Sequence, residues 1–137
     1  MKEEVSVNFD SVMLIDDNPI DLYIASRMIN INNFAKNILQ FSSAIEALTY
    51  LKENQEDTSL LPDVIFVDIY MPGMSGFEFM AEYEKLPIAL KEHCKVFIVS
   101  STVDQEDVAK ANRDKNIIAM KEKPITKDFL NGLRVRI

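Results

Sequence analysis

Val64-Ile65-Phe66-Val67, followed directly by Asp68, is the stretch that decides the fold of this chain. Four consecutive apolar residues are too uniform for a half-exposed hairpin strand, which would alternate. They suit a strand buried on both faces of a sheet. Val12-Met13-Leu14-Ile15 and Val96-Phe97-Ile98-Val99 read the same way. Asn37-Ile38-Leu39-Gln40-Phe41 and Ile117-Ile118-Ala119-Met120 are weaker candidates that bring the number of strands to five.

Helical patterns lie between these runs. Asn18 can cap a helix with Pro19 in its first turn, and Ile20, Tyr23, Ile24, Met28 and Ile31 recur at helical spacing. Ser43-Ala44-Ile45-Glu46 reads as a capping box, with Leu48 and Leu51 on one face. Phe79, Met80, Tyr83 and Leu86 form a third stripe. A fourth helix, capped within Thr102–Gln105, has a thin apolar face of Val103, Val108 and Ala111. Thr126 opens a fifth, with Phe129, Leu130 and Leu133 inward. Strands alternating with helices through short turns predict a single doubly wound α/β domain, its parallel sheet covered by helices on both faces.

The 137 residues are about one domain's worth, expected to span 1–137 with a core from about 11 to 137 and no output domain. A hydrophobic fraction of 47% is ample for one core. Fifteen Lys+Arg against 22 Asp+Glu leave a formal net charge of -7, which argues against a nucleic-acid binder and suits a site gathering carboxylates around a cation. The single cysteine, Cys94, forbids an intrachain disulfide and reads as a small buried residue. Met1-Lys2-Glu3-Glu4 carries acids where a signal peptide would be basic, and no apolar run approaches the roughly 18 residues of a membrane span. A soluble, cytoplasmic protein is expected.

In a doubly wound sheet, ligands bind beyond the carboxyl ends of the strands, where strand order reverses. Asp16-Asp17 follows the first buried run and Asp68 follows the third strand, so neighbouring strands would bring three carboxylates to one crevice. Like charges that close raise each other's pKa or recruit a cation, and a hard oxygen pocket suits Mg²⁺. Ser100 ends the fourth strand and Lys123-Pro124 follows the fifth. A hydroxyl and an ammonium at the rim of an acidic metal site form a phosphoryl-binding set. Singly, each has a plainer role: turn residues for the acids, a helix cap for Ser100, a surface lysine for Lys123.

Leu14-Ile15-Asp16-Asp17-Asn18, the run Val67-Asp68-Ile69-Tyr70-Met71-Pro72-Gly73-Met74-Ser75-Gly76, Val99-Ser100-Ser101 and Lys123-Pro124 together resemble the receiver domain of two-component response regulators, from Ser11 to Ile137. The resemblance implies a flavodoxin-like fold with strand order 2-1-3-4-5, like stand-alone chemotaxis receivers. It makes Asp68 the phosphoacceptor, taking a phosphoryl group from the phosphohistidine of a sensor histidine kinase or histidine phosphotransfer protein. Asp16, Asp17, Asp68 and the Tyr70 backbone carbonyl would hold Mg²⁺, Ser100 would bind a phosphoryl oxygen, and Lys123 would pair with the phosphate. It also implies a cis Lys123-Pro124 peptide. His93, the single histidine, sits at the wrong end of its strand to serve the crevice, so the donor histidine belongs to another molecule.

Where receivers commonly place an aromatic switch residue, this chain has Met120, a flexible gap-filler. Ser100 and Met120 are the expected switch pair, and the phosphorylation chemistry should survive the change. The reading is of a signalling receiver that catalyses its own aspartyl phosphorylation and dephosphorylation, and not of a metabolic enzyme. An unknown downstream target protein would be the partner, with a weak homodimer as a further option and neither nucleic acid nor membrane. A small Mg²⁺-dependent phosphatase is disfavoured because Ile69-Tyr70 leaves no acid two residues after Asp68. Flavin binding is disfavoured because Asp16-Asp17 would repel a phosphate unless a cation intervened. A degenerate receiver acting only as a protein docking surface is disfavoured by the intact acids, Ser100 and Lys123.

Overall fold

The computed structural model describes residues 9–136. The acids at the extreme N-terminus lie outside them. Five strands, β1 (Phe9–Ile15), β2 (Ala35–Phe41), β3 (Val64–Asp68), β4 (Lys95–Ser100) and β5 (Ile117–Glu122), form one parallel sheet in the order β2-β1-β3-β4-β5. Six helices connect them: α1 (Pro19–Ile31), α2 (Ala44–Glu53), α3 (Gly76–Tyr83), α4 (Ile88–His93), α5 (Gln105–Arg113) and α6 (Lys127–Arg136). No described helix is long and apolar enough to cross a membrane.

The continuous apolar runs are explained by two cores, one on each face. Side chains alternate across a strand, so Met13, Ile15, Ile65, Val67, Val96 and Ile98 point into one core. There they meet Leu48 and Leu51 of α2 and Phe79, Met80 and Tyr83 of α3. Val12, Leu14, Val64, Phe66, Phe97 and Val99 enter the other, against Ile29 of α1 and Leu130 and Leu133 of α6. Both central strands are therefore apolar throughout their paired stretch, and every residue of β3 is buried. Each such side chain contributes about 1.5–3 kcal/mol through burial. That burial fixes the register of Ile15 beside Val67, and with it the place of the acids that come directly after them.

Four details differ from the sequence reading. Six helices replace the expected five, because α4 has only six residues and one buried side chain, Leu90, too little for a recognisable stripe. The helix expected fourth is α5; Asp104 caps it by accepting the Glu106 N–H at 2.9 Å, and Val103 lies outside it, 48% exposed. At α2 the Ser43 hydroxyl accepts the Glu46 N–H, but the reciprocal capping box forms at Ser75 and Glu78 on α3. The fourth concerns α1, whose inward stripe is Leu22, Ala25, Met28 and Ile29. Ile20, Tyr23 and Ile31 are 68%, 63% and 60% exposed. The sequence of α1 offers two apolar stripes, and the cap sets the rotational phase between them. Asn18 accepts the N–H groups of Ile20 and Asp21, which turns Asp21 toward the sheet and Ile20 away from it.

Candidate functional site

Beyond the ends of β1 and β3, the paired register brings the acids together. One oxygen from each of Asp16, Asp17 and Asp68 lies within 4.8 Å of the others. Asp16 and Asp68 are buried and Asp17 is exposed. The strand carrying Asp68 is held close to α3: Gly76 donates its N–H to the Ile69 carbonyl at 2.7 Å, and a β-carbon there would sit 2.3 Å from the Asp68 carbonyl oxygen. Only glycine permits that approach. Gly73, at φ +82, turns the chain between them.

Lys123 enters from the end of β5. Its N–H bonds the Ser100 carbonyl at 2.8 Å, and the Lys123-Pro124 peptide is cis, as the resemblance implied. The ammonium lies 2.7 Å from Asp16 Oδ2, 2.9 Å from Asp21 Oδ2 and 3.4 Å from Asp68 Oδ1. Burial pushes the Asp68 carboxyl up to about 6; Lys123 opposes the shift, and Asp16 and Asp17 add to it. Burial acts to lower the Lys123 ammonium, but its bonds to Asp16 and Asp21 outweigh that and hold it above the usual lysine range. Four carboxylates against one ammonium leave excess negative charge. The cluster is thus an oxygen-rich pocket that could hold a hard divalent cation.

Ser100 is fully buried at the end of β4, its hydroxyl accepting the Thr102 N–H at 3.3 Å. The open cleft beside it is lined by Asp17, Ile20, Asp68, Tyr70, Ser101 and Lys123, among others. Tyr70 is 55% exposed and its hydroxyl donates to Asp107, an acid buried on the first turn of α5. That bond, then burial, raises the Tyr70 phenol to about 12. Met120 lies on β5 opposite Ile98, half-buried against the core that contains Ile98. Asp21 and Asp107 were not singled out in the sequence. An acid in a helix's first turn reads as a complement to the helix dipole, and nothing local signals that Asp21 meets a lysine 102 positions away.

The two remaining reactive side chains stand apart. His93 ends α4 just before β4, at the amino ends of the strands and away from the crevice, with Nε2 3.1 Å from Asp63 Oδ1 but not aligned for a hydrogen bond. Cys94 is buried, and burial pushes its thiol up to about 12, which makes it inert as a nucleophile.

Comparison with known proteins agrees with this geometry. A two-component response regulator from Cytophaga hutchinsonii superposes with a TM-score of 0.88 at 29% identity, covering 95% of this chain and 97% of that one. A response regulator receiver protein from Dyadobacter fermentans gives 0.83 at 31% identity, covering 92% and 95%. The transcriptional regulatory protein YvrH of Bacillus subtilis is 33% identical over 81 residues, 57% of this chain. The chain spans about a third of that relative's length, 31% of it. The family model for the response regulator receiver domain matches residues 12–132. With its acids, lysine and parallel sheet arranged as described, this chain belongs to the response regulator receiver domain family.

Proposed function

We propose that Asp68 accepts a phosphoryl group from the phosphohistidine of a histidine kinase or histidine phosphotransfer protein, and that the resulting acyl phosphate changes a protein-binding surface. The observation that carries this reading is the meeting of Asp16, Asp17, Asp68 and Lys123 beyond the ends of three strands. An Asp68 carboxylate oxygen attacks phosphorus, the P–N bond breaks, and the imidazole of the donor leaves with that electron pair. At neutral pH a carboxyl of pKa about 6 is mostly ionised, as a nucleophile must be. Asp16, Asp17, Asp68 and the Tyr70 carbonyl would hold Mg²⁺, which supplies charge neutralisation for the phosphoryl oxygens. Lys123, already 3.4 Å from Asp68, pairs with one of those oxygens, and the Ser100 hydroxyl donates to another after leaving its local turn.

The exposed stripe of α1 supports a protein donor. Ile20 borders the cleft, and Tyr23 and Ile24 extend the apolar strip along the same helix. A partner that docks there would have its histidine beside Asp68. The output surface is the face of α5, β5 and α6, reached from Ser100 and Met120, with an unidentified target protein or a weak homodimer as its occupant in the cytoplasm. Because a methionine has less defined inward and outward states than a ring, the population shift on phosphorylation is smaller than in receivers with an aromatic residue there.

Incubation with acetyl phosphate and Mg²⁺, followed by intact mass measurement, tests the reading. One added phosphoryl mass in the wild type and none in Asp68→Asn is expected. Equal phosphorylation of both proteins would overturn the assignment.

A further inference from the structure

Tyr70 and Asp107 join two regions that the rest of the site leaves separate. Tyr70 stands two residues after Asp68 and lines the same cleft, with much of its ring in solvent. Its hydroxyl bonds a carboxylate that is only 8% exposed, on the first turn of α5. That helix contributes a single buried apolar residue, Ala111, so its position depends on polar ties more than that of α2 or α3 does. Among the described residues, the bond is also the one hydrogen bond between side chains that links the loop after Asp68 to α5.

We infer that the Tyr70–Asp107 hydrogen bond is a clasp that holds α5 in its unphosphorylated position, and that a phosphoryl group on Asp68 works against it. The inference rests on Asp68 being the acceptor. Capture of the phosphate by Ser100 draws on the segment 101–104, which leads directly into α5 and pulls its first turn away from Tyr70. Once the phenol leaves, Asp107 is a buried carboxylate without that donor, and α5 relieves the loss by turning its first turn toward water. The clasp thus carries the message that an aromatic residue at Met120 would otherwise carry. Tyr70 and Asp107 act here as positioning residues.

Coupling is reciprocal, so loosening the clasp must also ease occupancy of Asp68. Tyr70→Phe keeps the ring and the backbone carbonyl, and its exposed position leaves both cores intact. Two measurements test it: hydrogen exchange without any phosphate mimic, and affinity for beryllofluoride with Mg²⁺. Exchange across residues 101–113 should quicken in Tyr70→Phe, and beryllofluoride should bind about three- to tenfold more tightly. Asp107→Asn should act in the same direction, and the double variant should do no more than either single one. Unchanged exchange in 101–113 would overturn the clasp. Faster exchange with unchanged or weaker beryllofluoride binding would make the bond a structural tie only, and would overturn it equally. Failure of the wild type to bind beryllofluoride at all would count against the phosphoacceptor reading, while the exchange measurement still decides whether the clasp exists.

Discussion

Asp68→Asn should stabilise the metal-free protein, although it removes the group on which function depends. Raising the Asp68 carboxyl from 3.8 to about 6 means that the folded state resists its ionisation, chiefly because of burial. At roughly 1.4 kcal/mol per pKa unit, that resistance is worth ~3 kcal/mol at neutral pH. The amide is neutral and similar in shape, so it escapes the cost, in which the opposing attraction of Lys123 at 3.4 Å is already counted. The gain is then up to about 3 kcal/mol, or up to about 15 °C in Tm for a domain of this size. The sign depends on pH. Between 3.8 and about 6 the folded protein binds more protons than the unfolded one, so wild-type stability falls as pH rises through that window. The advantage of the amide is therefore full above about pH 7 and vanishes near pH 4. Thermal melts of both proteins, with chelator and without Mg²⁺, measure it. An unchanged or lower Tm for the variant at neutral pH, or a gain that persists at pH near 4, would show that burial of the Asp68 carboxylate does not cost stability.

Other perturbations report on separate parts of the account. Added Mg²⁺ should raise the Tm of the wild type by an amount that grows with its concentration, and Asp17→Ala should abolish most of that response while remaining folded; calorimetry finding equal affinity in the two would contradict the pocket. Gly76→Ala should cost more than ~3 kcal/mol in urea unfolding, because its β-carbon would meet the Asp68 carbonyl at 2.3 Å with only backbone to give way. Glu84 is held at about 2, below its ordinary 4.5, by Asn116 and then by Lys91 and Lys115. Its contribution to stability is therefore present above pH 4.5 and lost as pH falls toward 2, and Glu84→Gln should flatten the acid limb of the Tm–pH profile.

The parts of the fold legible in the sequence are those set by the solvent-free centre. Runs such as Val64–Val67 are apolar because both faces are covered, and that condition leaves a signature within four residues. The acids of the site were legible for a related reason. Strand ends are fixed by the runs before them, so the order of residues alone places Asp16, Asp17 and Asp68 on one rim. Helix faces were harder. The sequence of α1 carries apolar residues on two sides, and the choice between them is made by the Asn18 cap and by the attraction of Asp21 to Lys123, neither of which is periodic. The roles of Asp21 and Asp107 depend on partners distant in sequence, Lys123 and Tyr70. Such pairings arise only when the sheet brings its loops together.

The most direct test of the central claim is the chemical location of the phosphoryl group. After reaction with acetyl phosphate and Mg²⁺, borohydride reduces an aspartyl phosphate to homoserine, and peptide mass spectrometry identifies the reduced position. Homoserine is expected at position 68, and is absent when Mg²⁺ is chelated. Reduction at any other acid, or none at Asp68 under conditions where the protein is folded, would contradict that claim.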